Sequence, residues 1–351
     1  MIKYMLENEF DDVQFFHVRM NFSREMNERG KLSFHKIFHI LSIIKQTYIL
    51  KFRHKIQVLY YPPSNAPTVS ILRDVVFLLC TRLLFKKTIF HFHAAGISEV
   101  IPKMPFLFRA LTLLALKKPD LAISSSAFNP NDGKFLKAKK TAIVPLGIPD
   151  DYVDIINNAG AKTNEEINVL FVGLLNSTKG EGFLLEAIYK LHQRGHRVRL
   201  QIAGKFETDD YKNAFFEKIS EFNLDSYVEY LGVITGEKKT QAFLNADIFC
   251  FPSFFISESF GLVLLEAMEF KLPIVATRWR GIQSIVEENQ NGYLVDIRNS
   301  DQLAERILLL VSDPELLKQM GDKSRELFIE KYTLERYINA LNMSFKELIK
   351  L

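Results

Sequence analysis

Cysteine is almost missing from this chain. Its 351 residues include Cys80 and Cys250 and no other. Both lie in apolar runs, FLLCTRLL and DIFCFPS, so they read as small buried residues of a reducing compartment, and a disulfide scaffold is excluded. An apolar leader is missing too: MIKYMLENEFDD has no apolar core, and the expectation is a cytoplasmic protein. No uncharged apolar run reaches the length of about 18 residues that a spanning helix needs. The longest candidate, 101–116, is broken by Lys103 and Arg109. No C-x-x-C pair is present, and no metal site is expected. The G-x-S-x-G elbow, the G-x-G-x-x-G fingerprint and the Walker order G-x-x-x-x-G-K-[ST] are all absent, which weighs against a serine hydrolase, a dinucleotide dehydrogenase and a P-loop enzyme.

What is present is an ordinary globular composition, 48% hydrophobic and 25% charged, long enough for two domains. The net charge of +4 hides an asymmetry. Residues 1–150 carry 22 Lys and Arg against 11 Asp and Glu, and the remainder carries 23 against 30. A basic half can face anionic lipid, nucleic acid or a charged saccharide, or merely solvent. Nucleic acid is the poorest of these, because no recognition motif accompanies the charge.

Hydrophobic periodicity gives an alternating order. In the first half, strands are expected at 13–20, 56–61, 88–92, 120–125 and 139–144, with helices at 34–52, 68–85 and 106–117. The second half predicts strands at 168–172, 197–203, 227–231, 248–251 and 274–277. Helices are expected between them at 182–194, 210–222, 237–245 and 261–270, with a further short helix at 284–288. Three more helices follow, at 301–312, 314–332 and 333–349. Strands alternating with helices mean α/β, with doubly wound parallel sheets. The domains are expected at 1–150 and 167–332, joined by a polar linker at 151–166, with 333–351 as a C-terminal helix that packs back on the first domain.

In such sheets ligands meet the loops beyond the carboxyl ends of the strands. One of these loops, Gly173-Leu-Leu-Asn-Ser-Thr-Lys179-Gly180, opens a helix with a lysine at hand and suits a phosphate, although a plain turn with a solvated lysine also fits. Ser259-Phe260-Gly261 opens a second helix in the same manner. That helix reads as apolar nearly all round and therefore buried, with Glu266 inside it and Glu258 in the loop before it. A carboxylate in apolar packing costs several kcal/mol without a partner. The pair marks either a ligand site or a structural salt bridge. In the first half His93 ends a strand on the same side as His91.

The segments FVGLLNSTKGEGFLLEA (171–187), VRLQIAG (198–204), 228–253, ESFGLVLLEAMEFKLPIVAT (258–277) and GIQSIVEENQNGYLVD (281–296) resemble the retaining glycosyltransferases of family 4. The E-x7-E element, Glu258 to Glu266, is the most specific part. HFHAAG (91–96), 120–126 and VPLGI (144–148) match more loosely. The resemblance implies the GT-B fold, two Rossmann-like domains facing a cleft. It also implies sugar transfer from a nucleotide-diphosphate donor, as substrate and with no cofactor, to a saccharide or lipid-linked saccharide acceptor in cell-envelope or exopolysaccharide synthesis. By the same resemblance Glu266 holds the ribose hydroxyls, and Glu258 contacts the donor sugar. Lys179 and the amides of Ser259, Phe260 and Gly261, with Gly173, face the diphosphate. Val233 lies against the base, and His93 lies near the donor sugar. Two departures are visible. Leu174 replaces an arginine common in the family, with Arg278 and Arg280 as candidate substitutes, and the family's opening strand and glycine-rich loop are not evident, so the first βα unit is expected to be missing. The rival readings are a nucleotide-sugar binder without transfer, and another GT-B enzyme such as an epimerase. The stretch 106–118, FLFRALTLLALKK, is also compatible with peripheral contact to an anionic membrane at the inner face of the cell membrane, or with a plain core helix.

Overall fold

A strand buried along nearly its whole length, β2 (Lys87–Phe92), runs through the middle of the first sheet, and its register fixes its neighbours. β1 (Val58–Tyr61) and β3 (Leu121–Ser124) flank it, and β4 (Lys140–Ile143) closes the order β1-β2-β3-β4, every pair parallel. Helices α1 (Phe34–Arg53), α2 (Thr68–Thr81), α3 (Ile97–Val100), α4 (Phe106–Leu116) and α5 (Asp132–Phe135) complete this unit. Its core includes Ile43, Ile71, Leu78, Phe90, Ile101 and Leu116, all nearly inaccessible. The computed structural model describes residues 13–20, 34–65, 68–153, 155 and 166–349. The expected missing βα unit falls largely on residues outside that set.

The strand expected at 13–20 does not form: apart from a single bridge at Val13 the segment has no ladder. Alternation reports which side is buried, not which backbone it pairs with. Here partly buried side chains pack on rings and on the core: Phe16 lies 4.2 Å from the His54 ring, Phe15 lies 5.8 Å from Phe345, and Val18 and Met20 reach the core.

By contact density the chain divides into two units, Met1–Val144 with Ile338–Leu351, and Pro145–Tyr337. The second unit holds β5 (Ile167–Val172), β6 (Val198–Ala203), β7 (Val228–Gly232), β8 (Ile248–Phe251), β9 (Ile274–Thr277) and β10 (Gly292–Val295), in the parallel order β10-β9-β8-β5-β6-β7. The chain therefore moves outward from β5 to β7, then returns to the other side of β5 with β8. That reversal is a topological switch point, flanked by the loops after β5 and β8, the place where ligands meet such sheets. The helices are α6 (Glu181–Gln193), α7 (Asp209–Glu221), α8 (Glu237–Asn245), α9 (Leu262–Glu269), α10 (Ser300–Ser312), α11 (Pro314–Lys331) and α12 (Leu334–Ile349). Several start on side-chain caps that satisfy their first amides: Thr208 for α7, Asn299 for α10 and Asp313 for α11.

Two local expectations fail in this unit. The short helix at 284–288 is absent, and a 3₁₀ turn at Arg280–Ser284 stands just before it. Asn291 ends that turn, its side chain accepting from the Glu287 amide at 2.7 Å and donating to the Ile285 carbonyl at 3.2 Å. β10 was not anticipated. Its four residues pair with β9 only because Gly292 lets the two backbones lie in contact at Ile274.

Candidate functional site

Lys179 is set by its own loop. The Asn176 side chain accepts from the Thr178 amide (3.0 Å), the Thr178 hydroxyl (2.9 Å) and the Lys179 amide (3.1 Å), closing a tight turn after β5. Gly180, at φ 85°, then starts α6, and a Cβ there would strike the Pro252 carbonyl. The loops after β5 and β8 are thus in backbone contact. Across that contact the Lys179 ammonium meets Glu258 Oε2 at 2.6 Å, both side chains largely buried. The buried Ser253 hydroxyl donates to the same oxygen at 3.3 Å, and the ammonium lies 4.8 Å from the Phe255 ring centre. Two strands on either side of the switch point therefore deliver one lysine and one carboxylate to one spot.

Glu266 differs from its expectation. The helix α9 is not buried all round: Leu262 is exposed, and Val263 and Glu266 are half-buried along the same stripe, while Leu264, Leu265, Ala267 and Met268 face the core. Glu266 Oε1 takes the Lys239 ammonium at 2.7 Å, and its Oε2 is buried without a hydrogen-bond partner. Lys239 lies in the first turn of α8, so the pair ties the turn after β7 to α9. The deeply buried acid of this helix is Glu269. Its carboxylate accepts the Asp151 amide at 2.8 Å, and burial, with Asp150 and Asp151 adding to it, pushes its pKa up to about 7.

The remaining second-unit residues cluster at the same end of the sheet. Gly173 donates its amide to Ala203, and the close approach of Gly204 to its carbonyl nests the loops after β5 and β6. Ser259 and Phe260 are buried, the Phe260 ring edge-on to Tyr332 at 5.9 Å, and Gly261 at φ 89° turns the chain into α9. Gly281 lies against the Ser259 carbonyl and Phe260 Cα, closer than any side chain would allow. Val233 follows Gly232 and is exposed. Leu174 is half-buried. Of its proposed substitutes, Arg278 pairs with Glu288 at 3.5 Å, and Arg280 is buried with its guanidinium 5.4 Å from the Trp279 ring.

His93 belongs to the first unit, directly after β2. Its ring lies 4.1 Å from that of His91, and burial lowers its pKa to about 4. His91 is fully buried and meets the Tyr60 hydroxyl at 2.5 Å. One histidine pair at i, i+4, His35 and His39, does occur in the sequence; the His35 side chain lies outside the described residues. Among the described residues no group of three or more His, Cys, Asp or Glu is placed to hold a metal ion.

Sequence reasoning missed Lys239, Ser253 and Glu181. Nothing in the spacing joins Lys239 to Glu266. Glu181 is fully buried beside the phosphate-type loop, and burial raises its pKa to about 7 against the opposing pull of Tyr211 and Lys179. Its place directly after Lys179-Gly180 was the available signal.

Residues 153–327 match the family model of the glycosyl transferases group 1. The chain is similar to an uncharacterized glycosyltransferase of Haemophilus influenzae, 31% identical over 203 residues, 58% of this chain and 54% of the relative. It is also similar to a poly(ribitol-phosphate) alpha-N-acetylglucosaminyltransferase of Staphylococcus aureus, 30% identical over 192 residues, 53% of this chain and 38% of the relative. The chain spans about half the length of the curated relatives that it matches first. In three dimensions it resembles Anabaena HepE in complex with UDP, with a TM-score of 0.69 at 17% identity, covering 87% of this chain and 82% of that one. Two parallel-sheet α/β units of this kind constitute the GT-B fold.

Proposed function

We propose that this chain, whose second unit is of the glycosyl transferases group 1 type, transfers a sugar from a nucleotide-diphosphate donor to an acceptor hydroxyl with retention at the anomeric carbon. The observation that carries the reading is the Lys179–Glu258 pair at the switch point of the second sheet. Breaking a glycosyl–diphosphate bond leaves charge on the departing phosphate, and a fixed cation held in a partly dry site stabilises that charge without reorganising. Lys179 is such a cation, and the backbone amides of Phe260 and Gly261 at the start of α9 add donors. Glu258 holds the lysine in place and lies beside the sugar in this reading. Glu266 accepts the ribose hydroxyls through Oε2, with Lys239 held on its other oxygen. Val233 supplies an apolar surface for the base. For His93 the assignment rests on the family resemblance alone. The family 4 type needs no metal, and here Lys179 takes the cation's part.

UDP is the first donor nucleotide to test, in view of the HepE complex, and the acceptor class proposed is a saccharide or lipid-linked saccharide of envelope synthesis. Calorimetry with UDP, and incubation with a panel of labelled nucleotide sugars and extracted envelope acceptors, test the reading. Glu266→Ala is expected to weaken nucleotide binding by about tenfold or more, the charged acceptor of the ribose hydroxyls lost. Glu258→Gln is expected to leave that binding within a few-fold and lower turnover by about two orders of magnitude. The anomeric configuration of the product, read by NMR, checks retention. Failure to bind any nucleoside diphosphate, with neither transfer nor donor hydrolysis, would overturn the proposal.

A further inference from the structure

The first unit carries a surface that the sugar chemistry does not use. Right-handed crossovers between successive parallel strands put α2 and α4 on one face of the sheet, and α1 packs beside α2. Hydrogen bonds lock the three into a layer. Tyr48 on α1 donates to the Cys80 carbonyl on α2 at 2.8 Å. Arg82, just past α2, donates to the Ala115 carbonyl in the last turn of α4 at 2.7 Å and to the Lys118 carbonyl just past it at 2.8 Å. The inner sides of the helices fill the core.

Their outer sides are also apolar. On α4, Leu107 is 70% and Leu114 is 69% exposed, with Leu111 between them on the same stripe. On α1, Phe38, Leu41, Ile49 and Phe52 recur at helical spacing and are exposed. Leu83, in the turn after α2, is 95% exposed. With Leu72, Val76 and Leu79 of α2 exposed as well, every helix of the layer carries exposed apolar side chains, and such a layer marks a contact surface.

Charge identifies the occupant. Residues 34–118 include 13 Lys and Arg and two acids, Asp74 and Glu99. Asp74 is buried and engaged by Tyr61, Ser64 and Arg73, and Glu99 belongs to α3, outside the layer. The helix layer thus presents no exposed carboxylate, while Lys45, Arg53, Lys86, Lys117 and Lys118 are exposed on or beside it. A second copy would bring like charge against like. We propose that the outer face of the α1–α2–α4 layer docks on an anionic lipid bilayer, leucine and phenylalanine side chains entering the headgroup boundary and lysines meeting acidic headgroups. The docking is peripheral, since no helix among the described residues is long and apolar enough to cross a membrane. The surface lies wholly in the first unit, and it stands whether or not the sugar-transfer reading does.

Sedimentation with vesicles of phosphatidylcholine alone, or with added phosphatidylglycerol, tests this on the full chain. Binding is expected to the anionic vesicles, at least tenfold over the neutral ones, and to weaken with salt. Lys117→Glu with Lys118→Glu should lower it by about fivefold per lysine. Leu107→Ser with Leu114→Ser should lower it by about tenfold or more. All four positions are exposed, so the variants should melt with the parent. Absence of anionic-vesicle binding, equal binding to both vesicle types, or binding unaffected by either pair would overturn the proposal. Self-association that the leucine pair abolishes, in a protein that ignores lipid, would also overturn it and assign the face to a second copy.

Discussion

Glu181 and Glu269 are the two carboxyls whose pKa burial raises most clearly, each to about 7 from 4.5. Both bind a proton more tightly in the folded chain than in the unfolded one. As pH rises through 4.5 the unfolded chain loses these protons first, so unfolding gains and stability falls until about pH 7, above which the effect is flat. Glu181→Gln, which cannot ionise, is therefore expected to gain in melting temperature relative to the parent as pH is raised from 5 to 7.5, checked by calorimetry at matched ionic strength. A constant difference between the two across that range would refute the assignment. The same comparison shows what single residues reveal in sequence. Glu266 and Glu269 lie on one helix, and in the sequence Glu266 stands out as its buried acid. Which one faces the core depends on the roll of α9 against β8 and β9, and that is set by tertiary packing that no local spacing encodes.

Elements were far more legible than their orientation. β8 and β9 fall where the pattern predicts, because short apolar runs with a Pro at one end, Pro252 after β8 and Pro273 before β9, leave little choice. The segment 13–20 misled for the opposite reason, since alternation without a partner strand is satisfied equally well by packing on rings. The donor-side loops were legible as loops, but their mutual contact was not. Gly281 shows why: its role is to be absent from the space beside Ser259 and Phe260, where a Cβ would lie 2.9 Å from Phe260 Cα. Gly281→Ala should push 259–261 out of position, destabilising the fold by about 1–3 kcal/mol and weakening nucleotide binding with it. Gly195→Ala is the control. Its Cβ meets nothing within 4 Å, and its φ of 83° alone predicts a loss of about 1 kcal/mol with binding intact. Chemical denaturation and calorimetry with UDP read both. Equal effects of the two substitutions on binding would remove the steric argument.

At the scale of the whole molecule the last helix has a divided allegiance. α12 begins in the second unit, yet from Ile338 onward it belongs to the first. Leu341, Phe345 and Leu348 are buried, the Phe345 ring stands edge-on to Tyr60 at 5.7 Å, and Lys87 on β2 donates to the Leu348 carbonyl at 2.5 Å. The start of the second unit is fastened elsewhere, by the bidentate Asp150–Arg325 pair at 2.8 Å. Each of these fastenings lies within a single unit, and a defect in one unit is expected to stay there. Phe345→Ala leaves a ring-sized cavity in the first unit and is expected to destabilise it by about 3–5 kcal/mol. If the units unfold separately, calorimetry of the variant shows one transition lowered and the other unmoved, and nucleoside diphosphate raises only the unmoved one. Nucleotide affinity stays at the parent value, since every donor-binding residue proposed in the second unit is remote in sequence from α12 and packs on other elements. A single transition that drops as a whole, with nucleotide affinity falling alongside it, would mean that α12 couples the two units into one cooperative block.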